Sequence, residues 1–242
     1  MKTLARTIAI GAVMTGASQA MAYDLGSGFD LSANVGAVSN YMWRGTTQTS
    51  NEAAIQGGVD LTHSSGVYVG TWVSNVDFDL APDAETEQDF YVGYGFTLGD
   101  FAFDLKRTEY HYASEDQLDY GETHAHVSAY GVTLGVDYSS DTPIVHSDST
   151  FHYYGSYSYT LPQEVVLTGT IGQYDFNDAG WVGAEDSEYS YYNIAVNKDM
   201  WGINFGLAYT DSNVDSDNCE VFYGTDDNCG GAFVVSALKT FK

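Results

Sequence analysis

The sequence has 242 residues, with 33 acidic and 8 basic side chains, so its formal net charge is −25 at pH 7. This balance argues against nucleic-acid binding, because phosphate recognition relies on clustered Lys and Arg. It also argues against a disordered chain, since disordered segments are poor in aromatic residues and this sequence is 15% aromatic. The composition therefore predicts a folded, strongly acidic protein.

The first 22 residues have the pattern of a secretory signal peptide. Lys2 and Arg6 precede a short apolar run, and Ala20 to Ala22 has the small-x-small form that signal peptidase accepts. We therefore expect residues 1–22 to be cleaved and residues 23–242 to form a single domain. No stretch approaches the roughly 20 apolar residues that a membrane-spanning helix needs. Any insertion into a membrane must use β-strands.

About twelve segments of roughly ten residues alternate apolar and polar side chains, as tilted transmembrane strands do. In the first, the apolar face runs at every second position from Phe29 to Ala37 and continues through Tyr41 and Trp43. Another runs from Phe90 to Leu98. The remaining segments begin near Ala53, Val67, Phe101, Thr123, Val132, Phe151, Val165, Tyr189, Trp201 and Gly231. We predict an all-β fold, an antiparallel up-and-down transmembrane β-barrel of about 12 strands.

The connections between these segments alternate between short and long. The short ones are 63–66, 98–100, 130–131, 161–164 and 198–201, and the long ones are 44–52, 77–88, 113–122, 139–150, 176–188 and 210–230. Outer-membrane barrels have short periplasmic turns and longer extracellular loops, so we expect both termini in the periplasm of a Gram-negative bacterium. Most of the acidic residues fall in the long, extracellular loops.

Aromatic residues near the ends of several segments predict a girdle at each membrane interface. The residues are Trp43, Trp72, Trp201, Tyr153, Tyr157 and Tyr159. A soluble sandwich could bury such residues in its core, but it would not sort its connections by length in strict succession. The aromatic pattern therefore favours the membrane barrel.

Cys219 and Cys229 are the two cysteines of the chain, and they lie in a polar, acidic segment. An exported protein passes through an oxidising periplasm, which predicts a disulfide between them. A zinc site is less favoured because no histidine lies near either sulfur in the sequence. Redox catalysis is less favoured because the spacing is not Cys-x-x-Cys.

Several segments resemble the TorF family of porins. They are the stretch from Val35 to Thr49, the segment from Gly70 to Asn75, the paired late cysteines and the ending from Ser236 to Phe241. The most specific element is the Tyr-x-x-Arg-Gly sequence at Tyr41 to Gly45. The resemblance covers essentially the whole exported chain. It implies an outer-membrane β-barrel with channel activity and brings no established substrate.

Transport through such a barrel would depend on its inward side chains. The candidate pore-lining residues are Arg44, Asp30, Asn34, Asp60, Asp104 and Lys106, and Asp137 and Lys198 are also assigned to the inner face. Because acidic residues dominate, we expect a channel for passive diffusion of small solutes that favours cations or neutral molecules. Inward tyrosines could still block a barrel of this width. Arg44 is expected at the pore mouth or in a salt bridge with a carboxylate.

Two other classes of function stay open. A barrel enzyme of lipase type would need a Ser/His pair, and His124 and His126 share one strand face beside Ser128, where a metal pair is also conceivable. No Gly-x-Ser-x-Gly motif accompanies them, and hydrogen-bonded lumen histidines explain the pattern more simply. A non-conducting surface barrel that anchors its loops is the other alternative. We predict no enzymatic activity, no metal and no cofactor.

The segment from Asp211 to Asp217 offers oxygen atoms at alternate positions, which is a weak sign of calcium binding. The glycine that an EF-hand loop requires at its sixth position is Ser216 here, and the closing Glu is missing.

The expected partners of the barrel are outer-membrane lipid, the barrel assembly machinery and small solutes. The outward faces leave open whether the barrel forms a homo-oligomer.

Overall fold

The computed structural model describes residues 23–140, 142, 149–176 and 187–241, so the predicted signal peptide lies outside the described residues. The strands are β1 Tyr23–Gly26, β2 Phe29–Val38, β3 Met42–Trp43, β4 Thr46–Thr47, β5 Ala54–His63, β6 Val67–Asn75, β7 Thr86–Leu98, β8 Phe101–Tyr112, β9 Tyr120–Ala129, β10 Val132–Ser139, β11 Thr150–Leu161, β12 Val165–Asp175, β13 Glu188–Met200, β14 Ile203–Ser212 and β15 Ala232–Phe241. Among the described residues one α-helix, α1, spans Ser216–Tyr223, and 3-10 turns span Asp116–Leu118, Pro162–Glu164 and Asp226–Cys229.

Twelve antiparallel strands form a closed ring. From β5 to β15 each strand pairs with its neighbour in sequence, and β2 pairs with both β15 and β5. Closure leaves no open sheet edge, which is what allows strands to cross a bilayer with their backbone groups satisfied. The prediction of a twelve-stranded up-and-down barrel is confirmed, and each predicted segment overlaps one strand of the ring.

The seam between the first and last strands of the ring is completed by β1. The pairing of β15 with β2 ends where Phe241 lies opposite Ala33. The pairing of β1 with β2 begins beyond it, where Tyr23 lies opposite Leu31. The short strand β1 therefore continues the backbone hydrogen bonds of β2 at the end of the barrel where Tyr23 and Phe241 lie.

The two ends of the barrel differ in their connections, as the sequence predicted. The connections between β5 and β6, β7 and β8, β9 and β10, β11 and β12, and β13 and β14 have two or three residues. We call this the turn end. The opposite end, which we call the loop end, carries the long connections. Since Tyr23 and Phe241, the first and last described residues, lie at the turn end, this end corresponds to the periplasmic side in the predicted orientation.

The outer surface of the ring is an apolar band. Along β15, for example, Phe233 is 73% exposed and Val235 and Phe241 also face outward, while Val234 is buried inside. Lys239 shares the outer face, but its Nζ donates to the carbonyl oxygen of Gly202 at the turn end, 2.8 Å away. None of the described helices is long and apolar enough to cross a membrane. The alternation therefore matches a barrel surrounded by lipid.

The predicted aromatic girdles are correct at some positions and wrong at others. Trp201 is 89% exposed at the turn end, and Tyr153, Tyr157 and Tyr159 also face outward. Trp43 and Trp72 lie inside the barrel instead and pack against its buried apolar side chains. The outward residues follow the interfacial pattern, whereas the two inward tryptophans belong to the interior.

Strand β2 is shorter than the alternating pattern of its sequence predicts. It ends at Val38, so Tyr41 and Trp43 do not continue its lipid-facing side. For Trp72 the difficulty is different, because the strand from Val67 has apolar residues on both faces and its orientation could not be read from the pattern. In the structure Trp72 points inward and its ring meets that of Tyr41 edge to face, with centroids 5.5 Å apart.

The predicted disulfide joins Cys219 to Cys229 in the connection from β14 to β15. It ties α1 to the 3-10 turn that follows. Asp215 caps the helix by accepting a hydrogen bond from the backbone nitrogen of Asn218 at 2.8 Å. One oxygen donor of the weak calcium motif therefore serves as a helix cap.

Candidate functional site

The connection from β2 to β5 folds into the barrel instead of extending away from it. We call this segment, residues 39–53, the crossbar. It contains the hairpin of β3 and β4. Its buried side chains are Asn40, Tyr41, Met42, Arg44, Thr46, Thr47, Gln48 and Thr49. The crossbar is therefore part of the barrel interior and narrows the lumen near the loop end.

The crossbar reaches across the lumen to strands far from its own. The Oη of Tyr41 donates to Oε1 of Glu87 on β7 at 3.3 Å. Arg44 contacts Glu122 on β9 and Asp137 on β10. In the order of the ring β10 stands directly opposite β2, six strands away in either direction. The segment thus spans the full width of the barrel.

Arg44 is the anchor of the crossbar. Its Nη2 donates to both carboxylate oxygens of Glu122, at 2.9 and 2.8 Å, and to Oδ2 of Asp137 at 3.1 Å. The guanidinium carbon lies 4.1 Å from the ring centroid of Trp43 and 4.6 Å from that of Tyr174. Both carboxylates and the guanidinium are almost completely buried. Removing Arg44 would leave two buried carboxylates without their cation.

The charge of Arg44 is secured by its surroundings. Burial by itself lowers the pKa of the guanidinium, but the combined effect of Glu122, Tyr174 and Asp137 outweighs it, with Glu122 contributing most. The pKa is consequently held well above its usual value. The sequence offered two interpretations of Arg44, a residue of the pore mouth or a salt-bridge partner, and the structure shows it in a buried salt bridge.

Gly45 follows Arg44 and is required by close contact as well as by backbone conformation. Its φ is +86°, in the left-handed region that favours glycine. A Cβ at this position would lie 2.7 Å from the Cβ of Tyr191 and 3.0 Å from that of Ser212. The Tyr-x-x-Arg-Gly element therefore holds the crossbar at both sides: Arg44 binds β9 and β10, and Gly45 fits against β13 and β14.

Three histidines converge on the carboxylate of Asp137. The distance to Oδ1 is 2.9 Å from Nδ1 of His124 and 3.1 Å from Nε2 of His126. The distance to Oδ2 is 2.7 Å from Nδ1 of His152. All four side chains are buried. The simplest interpretation of the sequence, hydrogen-bonded lumen histidines, describes this arrangement.

The Ser/His pair of a lipase-type barrel does not form between the predicted residues. The remaining ring nitrogen of His124 is 3.1 Å from Oγ1 of Thr108, not from Ser128. The hydrogen-bonding partner of His126 is Asp137. In the described structure both histidines therefore contact the carboxylate of Asp137 instead of a serine nucleophile.

Three of the predicted pore-lining residues lie near one another on the inner face of β5 to β8. Oη of Tyr91 donates to Oδ1 of Asp60 at 2.5 Å. Oη of Tyr68 lies 2.9 Å from both carboxylate oxygens of Asp104. The Nζ of Lys106 is 5.5 Å from the ring centroid of Tyr91. Acidic and aromatic groups thus form one wall of the lumen.

The other predicted positions give a mixed result. Asp30 and Asn34 lie half-buried on the inner face of β2, apart from the contacts of Arg44. The inward assignment of Lys198 is wrong, because Lys198 lies opposite Phe205 on the outer face. From the sequence, Glu122 falls in the long connection 113–122 and is not predicted to face the lumen, whereas the structure places it on β9. Its two-residue spacing from His124 was the signal that both share one strand face.

Four inward tyrosines lie against the barrel wall. Each stands directly opposite a glycine on the neighbouring strand. The pairs are Tyr68 with Gly93, Tyr91 with Gly70, Tyr154 with Gly135 and Tyr191 with Gly172. A Cβ on any of these glycines would collide with the ring of its partner. The glycines therefore leave room for the rings beside the backbone.

This arrangement makes a prediction for conduction. In Gly93→Ala the added methyl group pushes the ring of Tyr68 toward the lumen, so we expect smaller single-channel currents and a loss of about 1–3 kcal/mol in the free energy of unfolding. Gly169→Ala is the matched control, because Gly169 lies on the outer face of β12 with no atom within 4 Å of the added carbon. Equal currents from the two folded variants would contradict the role of the glycine.

The crossbar is covered at the loop end by the connection that contains the disulfide. Oγ1 of Thr46 donates to Oη of Tyr223 in α1 at 3.1 Å. Nδ2 of Asn51 donates to the carbonyl oxygen of Asp227 at 3.2 Å. These contacts connect the crossbar to a loop that is more than 170 residues away in the sequence. The crossbar thus contacts the barrel wall on one side and the connection from β14 to β15 on the other.

Comparisons with known proteins give a family and an architecture. The family described as "Bacterial protein of unknown function (Gcw_chp)" matches residues 22–241. The KdgM porin superposes with a TM-score of 0.56 at 7% identity, over 87% of this chain and 99% of that one. The KdgM porin in complex with disordered oligogalacturonate gives 0.55 at 7%, with the same coverage. The NanC porin gives 0.54 at 11%, over 88% and 99%. No curated protein matches in sequence.

Proposed function

The chain belongs to the Gcw_chp family of bacterial proteins of unknown function, and we propose that it is an outer-membrane porin for small solutes. In this proposal residues 1–22 are cleaved on export and the barrel assembly machinery inserts the remaining chain into the membrane. Solutes then diffuse through the lumen past the crossbar. The resemblance to the TorF porins and the likeness in fold to KdgM and NanC support the same assignment.

The observation that carries the proposal is the difference between the two faces of the barrel. The outer face is apolar, whereas the inner face of the described strands is lined with carboxylates, hydroxyls, amides and glycines. Side chains fill the interior of a barrel of about eight strands, whereas twelve strands enclose a wider interior that leaves room for a path. A polar wall in which tyrosines lie flat against glycines suits a water-filled path.

We propose further that the channel favours cations and neutral solutes over anions. The inward acidic residues of the described strands include Asp30, Asp60, Glu87, Asp89, Asp104, Glu122, Asp137 and Asp199. Against them stand Lys106 and the Arg44 of the crossbar, which is already paired. A narrow, low-dielectric lumen with excess negative charge concentrates cations. KdgM forms a complex with oligogalacturonate, whose carboxylates this acidic lumen would repel.

The charge preference can be tested on two carboxylates of the acidic wall. The double variant Asp60→Asn and Asp104→Asn removes two negative charges while keeping side-chain shape. In a potassium chloride gradient its reversal potential should therefore move toward the equilibrium potential of chloride. Asp100→Asn is the control, because Asp100 lies exposed in a turn outside the lumen. An unchanged reversal potential in the double variant would refute a role for this wall in selectivity.

A non-conducting surface barrel is the second candidate. The crossbar and its covering loop favour it, because they occupy part of the lumen near the loop end. The two functions differ in one property: a porin gives stepwise currents in a lipid bilayer and an anchor does not. Recordings from wild type and from variants with a displaced crossbar distinguish them.

A further inference from the structure

We propose that His124, His126 and Asp137 form a binding site inside the barrel for a divalent transition-metal ion such as Zn²⁺. The two histidines lie on β9 and Asp137 lies on the neighbouring strand β10, and both imidazole rings contact the carboxylate of Asp137. Imidazole nitrogen and carboxylate oxygen are the donors that such ions take in proteins. The site does not require that the barrel conduct, so it goes beyond the proposed channel.

The positions of the donor atoms fit a coordinated ion. The three residues each offer one ligand atom, and these atoms lie within 4.8 Å of one another. Oδ1 of Asp137 is 2.9 Å from Nδ1 of His124 and 3.1 Å from Nε2 of His126. In a tetrahedral site with bonds of about 2.0 Å, neighbouring ligand atoms stand about 3.3 Å apart. An ion can therefore enter this group after shifts of a few tenths of an ångström along these two edges.

Surrounding side chains support the ligands in the way that outer partners support known metal sites. Nε2 of His124 is 3.1 Å from Oγ1 of Thr108, to which it can donate when Nδ1 binds the ion. Nδ1 of His152 lies 2.7 Å from Oδ2 of Asp137, the carboxylate oxygen that faces away from the other two rings. His124 and Asp137 are thus both oriented by residues outside the ligand set.

The local charge also permits a cation. Two cations lie near the group: Lys106 stands directly opposite His124 on β8, and Arg44 contacts Asp137. The Nη2 of Arg44 reaches Oδ2 of Asp137, on the other side of the carboxylate from Oδ1. The same Nη2 is bound by both oxygens of Glu122. Arg44 is therefore matched by Glu122, which leaves the negative charge of Asp137 for the metal ion.

The test uses Co²⁺ as a spectroscopic probe on the full exported chain, refolded in detergent. We expect one Co²⁺ per chain, with the intense visible absorption of a four- or five-coordinate site, and displacement of the signal by Zn²⁺. His126→Gln should weaken binding by about tenfold or more. This variant is chosen because Asp137 is the hydrogen-bonding partner of His126 in the described structure, so its loss disturbs little else.

His111→Gln provides the matched control, since His111 is an exposed histidine paired with Asp119. It should bind Co²⁺ as wild type does. His124→Gln removes a second ligand and should reproduce the loss, with folding of each variant checked by its electrophoretic shift on heating. Absence of stoichiometric Co²⁺ binding by the folded wild type would overturn the site, and so would equal affinities in His126→Gln and His111→Gln.

Discussion

Arg44→Ala is expected to produce the largest change of any single substitution in the lumen. It leaves Glu122 and Asp137 as buried carboxylates without their cation, which should lower the free energy of unfolding by about 3–5 kcal/mol. It also releases the crossbar from β9 and β10, so the single-channel conductance should rise. Urea unfolding in detergent gives the first quantity, and planar-bilayer recording gives the second.

Arg107→Ala is the matched control for this prediction. Arg107 is also paired with a carboxylate, that of Glu109 at 2.7 Å, but both side chains are more than 40% exposed. Its removal should cost about 0–1 kcal/mol and leave the conductance unchanged. If Arg44→Ala and Arg107→Ala behaved alike in both measurements, the crossbar would not be anchored by Arg44 in the way described.

Gly45→Ala should displace the crossbar without changing any charge. The methyl group meets the Cβ atoms of Tyr191 and Ser212 in a backbone conformation that alanine adopts reluctantly. We expect a loss of roughly 2–4 kcal/mol in the free energy of unfolding and a rise in conductance, because two unfavourable effects combine.

Gly99→Ala separates these two effects. Gly99 has a φ of +62°, but no atom lies within 4 Å of a Cβ added there. Its substitution should cost only about 1 kcal/mol, the strain of the left-handed conformation, and leave conductance as in wild type. Equal losses of stability for the two variants would mean that the contact of Gly45 with β13 and β14 is unimportant.

Much of the barrel could be predicted from the sequence because its two faces meet different solvents. Lipid outside and polar groups inside impose a period of two that persists over ten residues, and turns and loops differ in length at the two ends. For these reasons the strands, their number and the ends of the barrel were recognisable. The pattern failed at Val67 to Asn75, where residues of both faces are apolar and Trp72 was placed at the wrong side.

The crossbar could not be predicted because its sequence continues the alternating pattern of strand β2. Tyr41 and Trp43 continue the spacing of Phe29 to Ala37, so the alternation gives no sign that the chain turns inward after Val38. What distinguishes the segment is long-range packing. The partners of Arg44 lie 78 and 93 residues further along the chain, and a pattern of neighbours in sequence contains no information about them.

The histidine site could be predicted in part. The spacing of His124 and His126 placed both rings on one strand face, as the structure confirms. The inward direction of Asp137 was also recognised. Their meeting depends on the register between β9 and β10, where Asp137 lies directly opposite His124. A slip of one residue would have put them on opposite faces, and the sequence did not fix the register to that precision.

The central claim, a porin whose lumen is narrowed by the crossbar, is tested most directly by bilayer recordings from the refolded chain of residues 23–242. In a potassium chloride gradient we predict stepwise currents whose reversal potential favours potassium. Folded protein that inserts into the bilayer and gives no current steps would contradict the claim.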